Sequence, residues 1–216
     1  MCWDFDGLIV DTEWIEFEAW RDVFAQVGLD LTLDAYRPFA GTRRTSAQVL
    51  QYSRSLGFGG HDEELAEAFW ACYRSKVADI PMRSGVEKLL AVTLEAGLAN
   101  WVVSSSDVRT IETILEKLGI RRSFGGIVGG DVIKDHKPSP APYLAALEQC
   151  NTRSREARAL EDSEPGVRSA VAAGIPVFAV VNRVTCGQTF PASVPVVSSL
   201  DELSREWLIG SDHGAV

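Results

Sequence analysis

The chain has 216 residues, 46% of them hydrophobic, and 30 Asp and Glu against 21 Lys and Arg give a formal net charge of −9. The length allows one large domain or one domain with a small insert, and the apolar share suffices for a packed core. The acidity argues against nucleic-acid binding, which needs clustered Lys and Arg, and there is no run of about 18 apolar residues to span a membrane.

A first strand is predicted to end at Asp4, with only Met1-Cys2-Trp3 before it. Central strands usually run about five or six residues, so either this strand is unusually short or the chain begins later than its ancestors did. Residues 12–84 then read as helix after helix. Trp14, Phe17, Trp20, Phe24 and Val27 recur at three- and four-residue steps, and Gly28 can end that helix. A second helix is predicted over 45–56. A third covers 62–77, with Leu65, Phe69, Cys72 and Tyr73 on one side. From Ser84 onward strands and helices alternate: helix 86–95, strand 101–103, helix 108–118, strand 126–128, helix 141–149, strand 157–160, helix 165–173, strand 177–181 and helix 200–208. That alternation predicts an α/β fold, a doubly wound parallel sheet with helices on both faces. The core would comprise residues 1–11 and 85–216, and a helical unit over 12–84 would be inserted after the first strand.

The four cysteines form no CxxC pair and read as reduced thiols of a cytoplasmic protein. The N-terminus is charged at once, without a signal-peptide hydrophobic region. His61, His136 and His213 are dispersed, so no zinc site is expected.

In an open α/β sheet, ligands bind outside the carboxyl ends of the strands. Those ends supply Asp4-Phe5-Asp6-Gly7 with Asp11-Thr12-Glu13, then Ser104-Ser105-Ser106-Asp107, Lys137-Pro138 and Glu161-Asp162-Ser163. Several carboxylates on one rim repel and drift toward protonation unless a cation sits among them. All-oxygen ligands favour Mg²⁺. A Mg²⁺-loaded carboxylate cluster with one Lys and one Ser outlines a phosphoryl site. No GxxxxGK[ST] segment is present, which excludes a P-loop.

Asp4-Phe5-Asp6-Gly7-Leu8-Ile9-Val10-Asp11-Thr12-Glu13 resembles the first motif of the haloacid dehalogenase superfamily. Val102-Val103-Ser104-Ser105-Ser106 resembles the second, Lys137-Pro138 the third, and Leu160-Glu161-Asp162-Ser163-Glu164-Pro165-Gly166 the fourth. All four occur in order over nearly the whole chain. The insert resembles the small cap of the β-phosphoglucomutase-like branch. Within that branch Val181-Asn182-Arg183-Val184-Thr185 looks most like the bacterial phosphatases.

The resemblance implies Asp4 as nucleophile, forming an aspartyl-phosphate, and Asp6 as general acid and base, its carbonyl also a metal ligand. Ser104 and a backbone N–H of Ser105 would hold the phosphoryl group. Lys137 would pair with Asp4 and the phosphate. Asp162 would ligate Mg²⁺ directly, and Glu161 directly or through water. Ser106 or Asp107 is the better cap for the helix that follows. Where the family commonly has Pro-Ala-Pro-Asp, this chain has Pro138-Ser139-Pro140-Ala141.

β-Phosphoglucomutases usually carry His at the place of Glu16 and Lys at the place of Ala40. Their absence argues for water as acceptor, hence hydrolysis of a small-molecule phosphate ester, with a phosphosugar mutase as the alternative; a monomer is expected. Glu16, Gly41 and Arg44 are the expected cap contacts to substrate, and Lys76 is a weaker candidate. The Asp6 carboxylate disfavours dehalogenation, and no cap Lys stands out for phosphonatase chemistry. A receiver-like signalling domain would place its Lys last along the chain, whereas Glu161-Asp162 follow Lys137 here. A short first strand that misplaced Asp4 would instead leave an inactive phosphate-binding protein. The segments 9–13 and 81–85 are expected to hinge the insert to the core.

Overall fold

A computed structural model describes residues 1–40 and 45–209. Six parallel strands form one sheet in the order β3-β2-β1-β4-β5-β6. They are β1 (Cys2–Trp3), β2 (Trp101–Val103), β3 (Gly126–Val128), β4 (Ala159–Glu161), β5 (Val177–Val180) and β6 (Val196–Val197). The short β1 sits near the centre, with Cys2 opposite Trp101 and Ala159 and Trp3 opposite Val102 and Leu160. Its ladder runs past its assigned ends. Trp101 N–H donates to Met1 O at 2.8 Å and Asp4 N–H to Leu160 O at 2.9 Å. Two flanking strands thus hold a segment too short to hold itself.

Alternation along the strands sorts the core. Trp3, Val102, Leu160 and Val180 face one side, under α5 (Val86–Glu95) and α6 (Val108–Lys117). Cys2, Val103, Ala159 and Ala179 face the other, under α7 (Ala141–Gln149) and α8 (Glu164–Ala172). Helices on both faces make the sheet doubly wound, as the alternation predicted.

The insert carries α1 (Thr12–Gln26), α2 (Leu33–Tyr36), α3 (Thr45–Ser55) and α4 (Asp62–Val77). These helices enclose a cluster of their own, centred on Phe17, Trp20, Phe24 and Phe69. Trp20 stacks on Phe69 at 4.1 Å and 11° and so fastens α1 to α4. Val184, from the loop after β5, enters the same cluster. The two chain crossings between insert and sheet lie side by side. Val10 bridges Met82 in antiparallel fashion, and Arg83 N–H donates to Ile9 O at 2.9 Å.

Several elements depart from expectation. β6 has two residues, too few for alternation to register. The helix predicted over 200–208 is broken into a 3-10 turn, Leu200–Glu202, and α9 (Arg205–Ile209). Leu203 between them is extended (φ −75°, ψ 127°), while Asp201 is drawn to Ser84 and Lys88. β4 begins at Ala159 because Ala157 closes a 3-10 turn over Ser154–Glu156.

Candidate active site

β1 leaves the sheet at Asp4, which is 5% exposed. Lys137 reaches it from the loop before α7. Its Nζ donates to Asp4 Oδ1 at 2.6 Å, to Glu161 Oε1 at 2.5 Å and to Val103 O at 2.8 Å. Glu161 Oε1 also accepts from the Tyr143 hydroxyl at 2.7 Å. Behind it, in the first turn of α8, lies Gly166, where a β-carbon would overlap the Glu161 carboxylate. One ammonium therefore serves two buried carboxylates. Burial alone would lower its pKa, but Asp4 and Glu161 hold it above the ordinary lysine value.

Next to Glu161, Asp162 faces Asp4. Burial, then the charge of Glu161, pushes the Asp4 carboxyl well above its usual range. Burial, then the charges of Glu13 and Glu161, does the same to Asp162. Oxygen atoms of Asp4, Glu161 and Asp162 all lie within 4.8 Å of one another. Three buried carboxylates with one lysine are short of positive charge, and the donors are all hard oxygens. The residues therefore fit a hard divalent cation.

Asp162 Oδ2 accepts from Asn182 Nδ2 at 2.7 Å. The Asn182 amide oxygen accepts from Val184 N–H at 2.8 Å and Thr185 N–H at 3.0 Å, and Nδ2 also reaches Gly7 O at 3.2 Å. Asn182 thus clamps the β1 loop to the β4 end. The clamp requires Gly7: its φ is +75°, and a β-carbon there would overlap Asp162. Arg83, at the second crossing, donates to the Gly7 carbonyl as well.

Asp6 points across the cleft into hydroxyls. Thr12 Oγ donates to its Oδ1 at 2.7 Å, and Ser104 at 2.9 Å and Ser106 at 2.7 Å donate to its Oδ2. Ser104 Oγ also accepts the Ser106 N–H at 2.9 Å. In this conformation Asp6 accepts from three hydroxyls, and Ser104 is turned toward it. Ser105 lines the cleft. Of the two cap candidates Asp107 is the cap, accepting from Thr110 N–H at 2.9 Å, and Ser106 belongs to the site.

Above this floor lies a cleft of about 360 Å³. Asp4, Asp6, Lys137 and Asp162 line its base, while Glu13, Glu16, Ser46, Phe69, Trp70 and Tyr73 line the insert side. Glu16 lines the cleft from the insert side. Burial first, then the charge of Asp6, pushes its carboxyl up to about 7, opposed by Trp20 and Tyr36. Gly41 and Arg44 lie outside the described residues. Ala40 is buried in the insert cluster and borders a separate groove with Arg37 and Pro38. Lys76 is paired with Asp22 at 2.9 Å and does not line the cleft. Sequence reasoning missed Thr12, Ser106, Tyr143, Asn182 and Trp70. Of these, only Thr12, Ser106 and Asn182 fell within segments whose pattern had drawn attention.

A family model, haloacid dehalogenase-like hydrolase, matches residues 1–180. YhcW of Bacillus subtilis (strain 168) is 30% identical over 213 residues, covering 99% of this chain and 96% of that protein. Hexitol phosphatase B of Escherichia coli (strain K12) is 29% identical over 212 residues, covering 96% and 95%. Among solved structures, CbbY from Rhodobacter sphaeroides in complex with xylulose-(1,5)-bisphosphate superimposes with a TM-score of 0.76 at 25% identity, covering 94% of each chain. Among the described residues, no helix is long and apolar enough to cross a membrane.

Proposed function

The chain belongs to the haloacid dehalogenase-like hydrolases, and from that premise we propose that it is a Mg²⁺-dependent phosphatase of small phosphorylated metabolites, acting through an aspartyl-phosphate. What carries the reading is the buried triad of Asp4, Lys137 and Glu161 at the base of a cleft that Asp6 also enters. Asp4, Asp162 and the Asp6 carbonyl would hold the cation, with Glu161 behind them. Bound there, Mg²⁺ would offset the carboxylate charge and draw negative charge from the phosphoryl oxygens.

An Asp4 oxygen attacks phosphorus and the ester P–O bond breaks, with Asp6 giving a proton to the departing alcohol oxygen. Water then attacks the acyl-phosphate and gives its proton to Asp6. The bond from Asp4 to phosphorus breaks, and inorganic phosphate leaves. Lys137, already on Asp4, steadies the carboxylate for attack and neutralises the phosphoryl group. Ser104 would join the phosphoryl contacts once Asp6 swings toward the leaving oxygen, since its hydroxyl is held on Asp6 in this conformation. The Ser105 backbone lies beside it. The insert, residues 12–84, acts as a cap over residues 1–11 and 85–216. Closing it excludes water and strengthens every charge contact at the floor.

Purified protein should release inorganic phosphate from p-nitrophenyl phosphate and from sugar phosphates, and EDTA should abolish the release. Conversion of β-glucose 1-phosphate to glucose 6-phosphate without free phosphate would overturn the reading in favour of a mutase.

A further inference from the structure

We propose that Arg83, at the second chain crossing, is a positioning residue for the floor. By holding the Gly7 carbonyl it fixes the loop that carries Asp6, and with it the Asp6 carbonyl offered to the cation and the Asp6 carboxyl offered to the leaving oxygen. The inference rests on the phosphatase reading above and adds a residue that does not itself line the cleft.

After β1 the chain turns back on itself. The N–H groups of Leu8, Ile9 and Val10 all reach the Phe5 carbonyl, at 3.4, 3.0 and 3.3 Å, and Gly7 N–H donates to Val10 O at 2.8 Å. That last bond fixes the Asp6–Gly7 peptide, whose carbonyl is Asp6's own. The following peptide is fixed through its oxygen, which accepts from Asn182 Nδ2 at 3.2 Å and from the Arg83 guanidinium. Gly7 holds a φ of +75°. Glycine tolerates that conformation and many others, so bonds from outside the loop are what select it.

Arg83 reaches the Gly7 oxygen from a fixed base. Its own N–H donates to Ile9 O at 2.9 Å, and Met82 beside it bridges Val10. A second guanidinium nitrogen donates at 3.4 Å to Val181 O, just past β5. One fork therefore joins the return from the insert, the loop of Asp6 and the end of β5. Both acceptors are neutral carbonyls. Burial lowers the Arg83 pKa, with the charges of Asp11 and Asp162 opposing. A buried cation bonded to carbonyls is a poor device for stability alone, because an apolar side chain of that size carries no desolvation penalty. A charged donor does make the stronger bond, and the planar fork fixes its direction as an ammonium would not. Both properties serve to hold one peptide in place.

The test separates cation binding, loop order and turnover. Arg83→Met keeps an unbranched stem and removes the donors. Mn²⁺ is the probe cation, read by loss of the free-ion electron paramagnetic resonance signal. Its affinity should fall by about 10–100-fold, the usual effect of losing an outer partner of a metal site. In metal-free protein, amide hydrogen exchange over residues 5–10 should quicken while β2, β4 and α7 keep the wild-type rate. At saturating Mg²⁺, kcat for p-nitrophenyl phosphate should fall on the order of 10–10²-fold because Asp6 stays misplaced, with KM changed far less. Arg83→Lys keeps the charge without the fork and should fall between; it gives the same reading if Arg83→Met does not fold. Added methylguanidinium, at a concentration that leaves the wild type unaltered, should restore Mn²⁺ affinity and turnover to Arg83→Ala. A groove of about 380 Å³ bordered by Arg83, Val181, Asn182 and Arg183 gives that cation a way in. Wild-type Mn²⁺ affinity in Arg83→Met would make Arg83 ordinary packing, as would faster exchange over the whole protein without rescue. Either result overturns the inference and leaves the phosphatase reading intact. Neither Mn²⁺ binding nor phosphate release in the wild type would overturn both.

Discussion

The floor of the cleft and its insert wall are both acidic, yet they are built in opposite ways. On the floor each charged side chain is pinned by partners: Lys137 by three acceptors, Asp6 by three hydroxyls, Asp162 by Asn182. On the wall the groups are held from behind, by packing, and their polar faces look into the cleft. Glu16 is backed by Trp20 and Tyr36, and Trp70 by Phe69 and Tyr73. A pinned floor suits chemistry, which demands placement to a fraction of an ångström. A wall of backed but open groups suits selection among leaving groups. The difference predicts that floor substitutions act on turnover, metal affinity and stability, whereas wall and clasp substitutions act on substrate preference and cap closure.

The largest break in that division is Asp4→Asn. An amide cannot form the acyl-phosphate, so phosphate release should fall on the order of 10⁴-fold or more. Stability should move the other way. Burial and Glu161 raise the Asp4 pKa, so its charged form opposes folding above the pKa of the unfolded chain, and that penalty fades as pH falls through the raised value. Without metal, Asn should leave the Tm at neutral pH equal to the wild type or higher. Retained turnover, followed as phosphate release, would refute the covalent route. Lys137→Met should do the reverse to stability. It leaves Asp4 and Glu161 buried without a counter-ion, at a cost of about 3–5 kcal/mol, readable by urea titration.

Asn182→Ala sharpens the comparison from the side. Asn182 touches no substrate in the proposed mechanism; it orients Asp162 and ties it to Gly7. Loss of such an outer partner typically weakens a metal site by about 10–100-fold. The Mg²⁺ concentration for half-maximal activity should rise by that factor, with kcat at saturating Mg²⁺ changed far less. An equal fall in kcat at every Mg²⁺ concentration would make Asn182 a structural residue instead.

Much of the floor was legible because strand ends of a parallel sheet must converge. Asp4, Asp6, Lys137, Glu161 and Asp162 each follow or approach a readable strand, so their meeting follows from topology. Ser106 was obscured because Ser and Asp side by side are both good helix caps, and only the loop's path decides that Asp107 takes the role. Asn182 is one polar residue at the end of a buried strand, with no periodicity to flag it. Trp70 lies off the stripe of Leu65, Phe69, Cys72 and Tyr73 that defines α4, so nothing in that spacing marks it. β6 was invisible because two valines carry no pattern. Contacts of this kind depend on how separate elements dock, which spacing along the chain does not encode.

The smallest expected effect lies at the clasp between wall and floor. The Arg183 guanidinium, in the loop after β5, sits 3.8 Å from the centre of the Trp14 ring on α1. It also donates to Asp11 Oδ2 at 3.1 Å, at the first chain crossing. From the insert, Arg37 donates to the Arg183 carbonyl at 3.1 Å. The Arg183 side chain is 54% exposed, so solvent screens its ion pair, which contributes about 0–1 kcal/mol, and the ring contact adds about 0.5–1 kcal/mol. Together they can bias an open–closed equilibrium of the cap by no more than about thirtyfold. Arg183→Ala should therefore shift kcat and KM together by about two- to thirtyfold on every substrate, with the relative preference among sugar phosphates and the Tm nearly constant. Such a uniform shift separates the clasp from Glu16 on the cleft wall, whose Glu16→Gln variant should alter the relative preference among substrates, and from Asp4, whose loss should abolish turnover. If Arg183→Ala altered the preference among sugar phosphates as strongly as Glu16→Gln, the clasp would belong to the selecting wall, and the division between pinned floor and open wall would have to be redrawn.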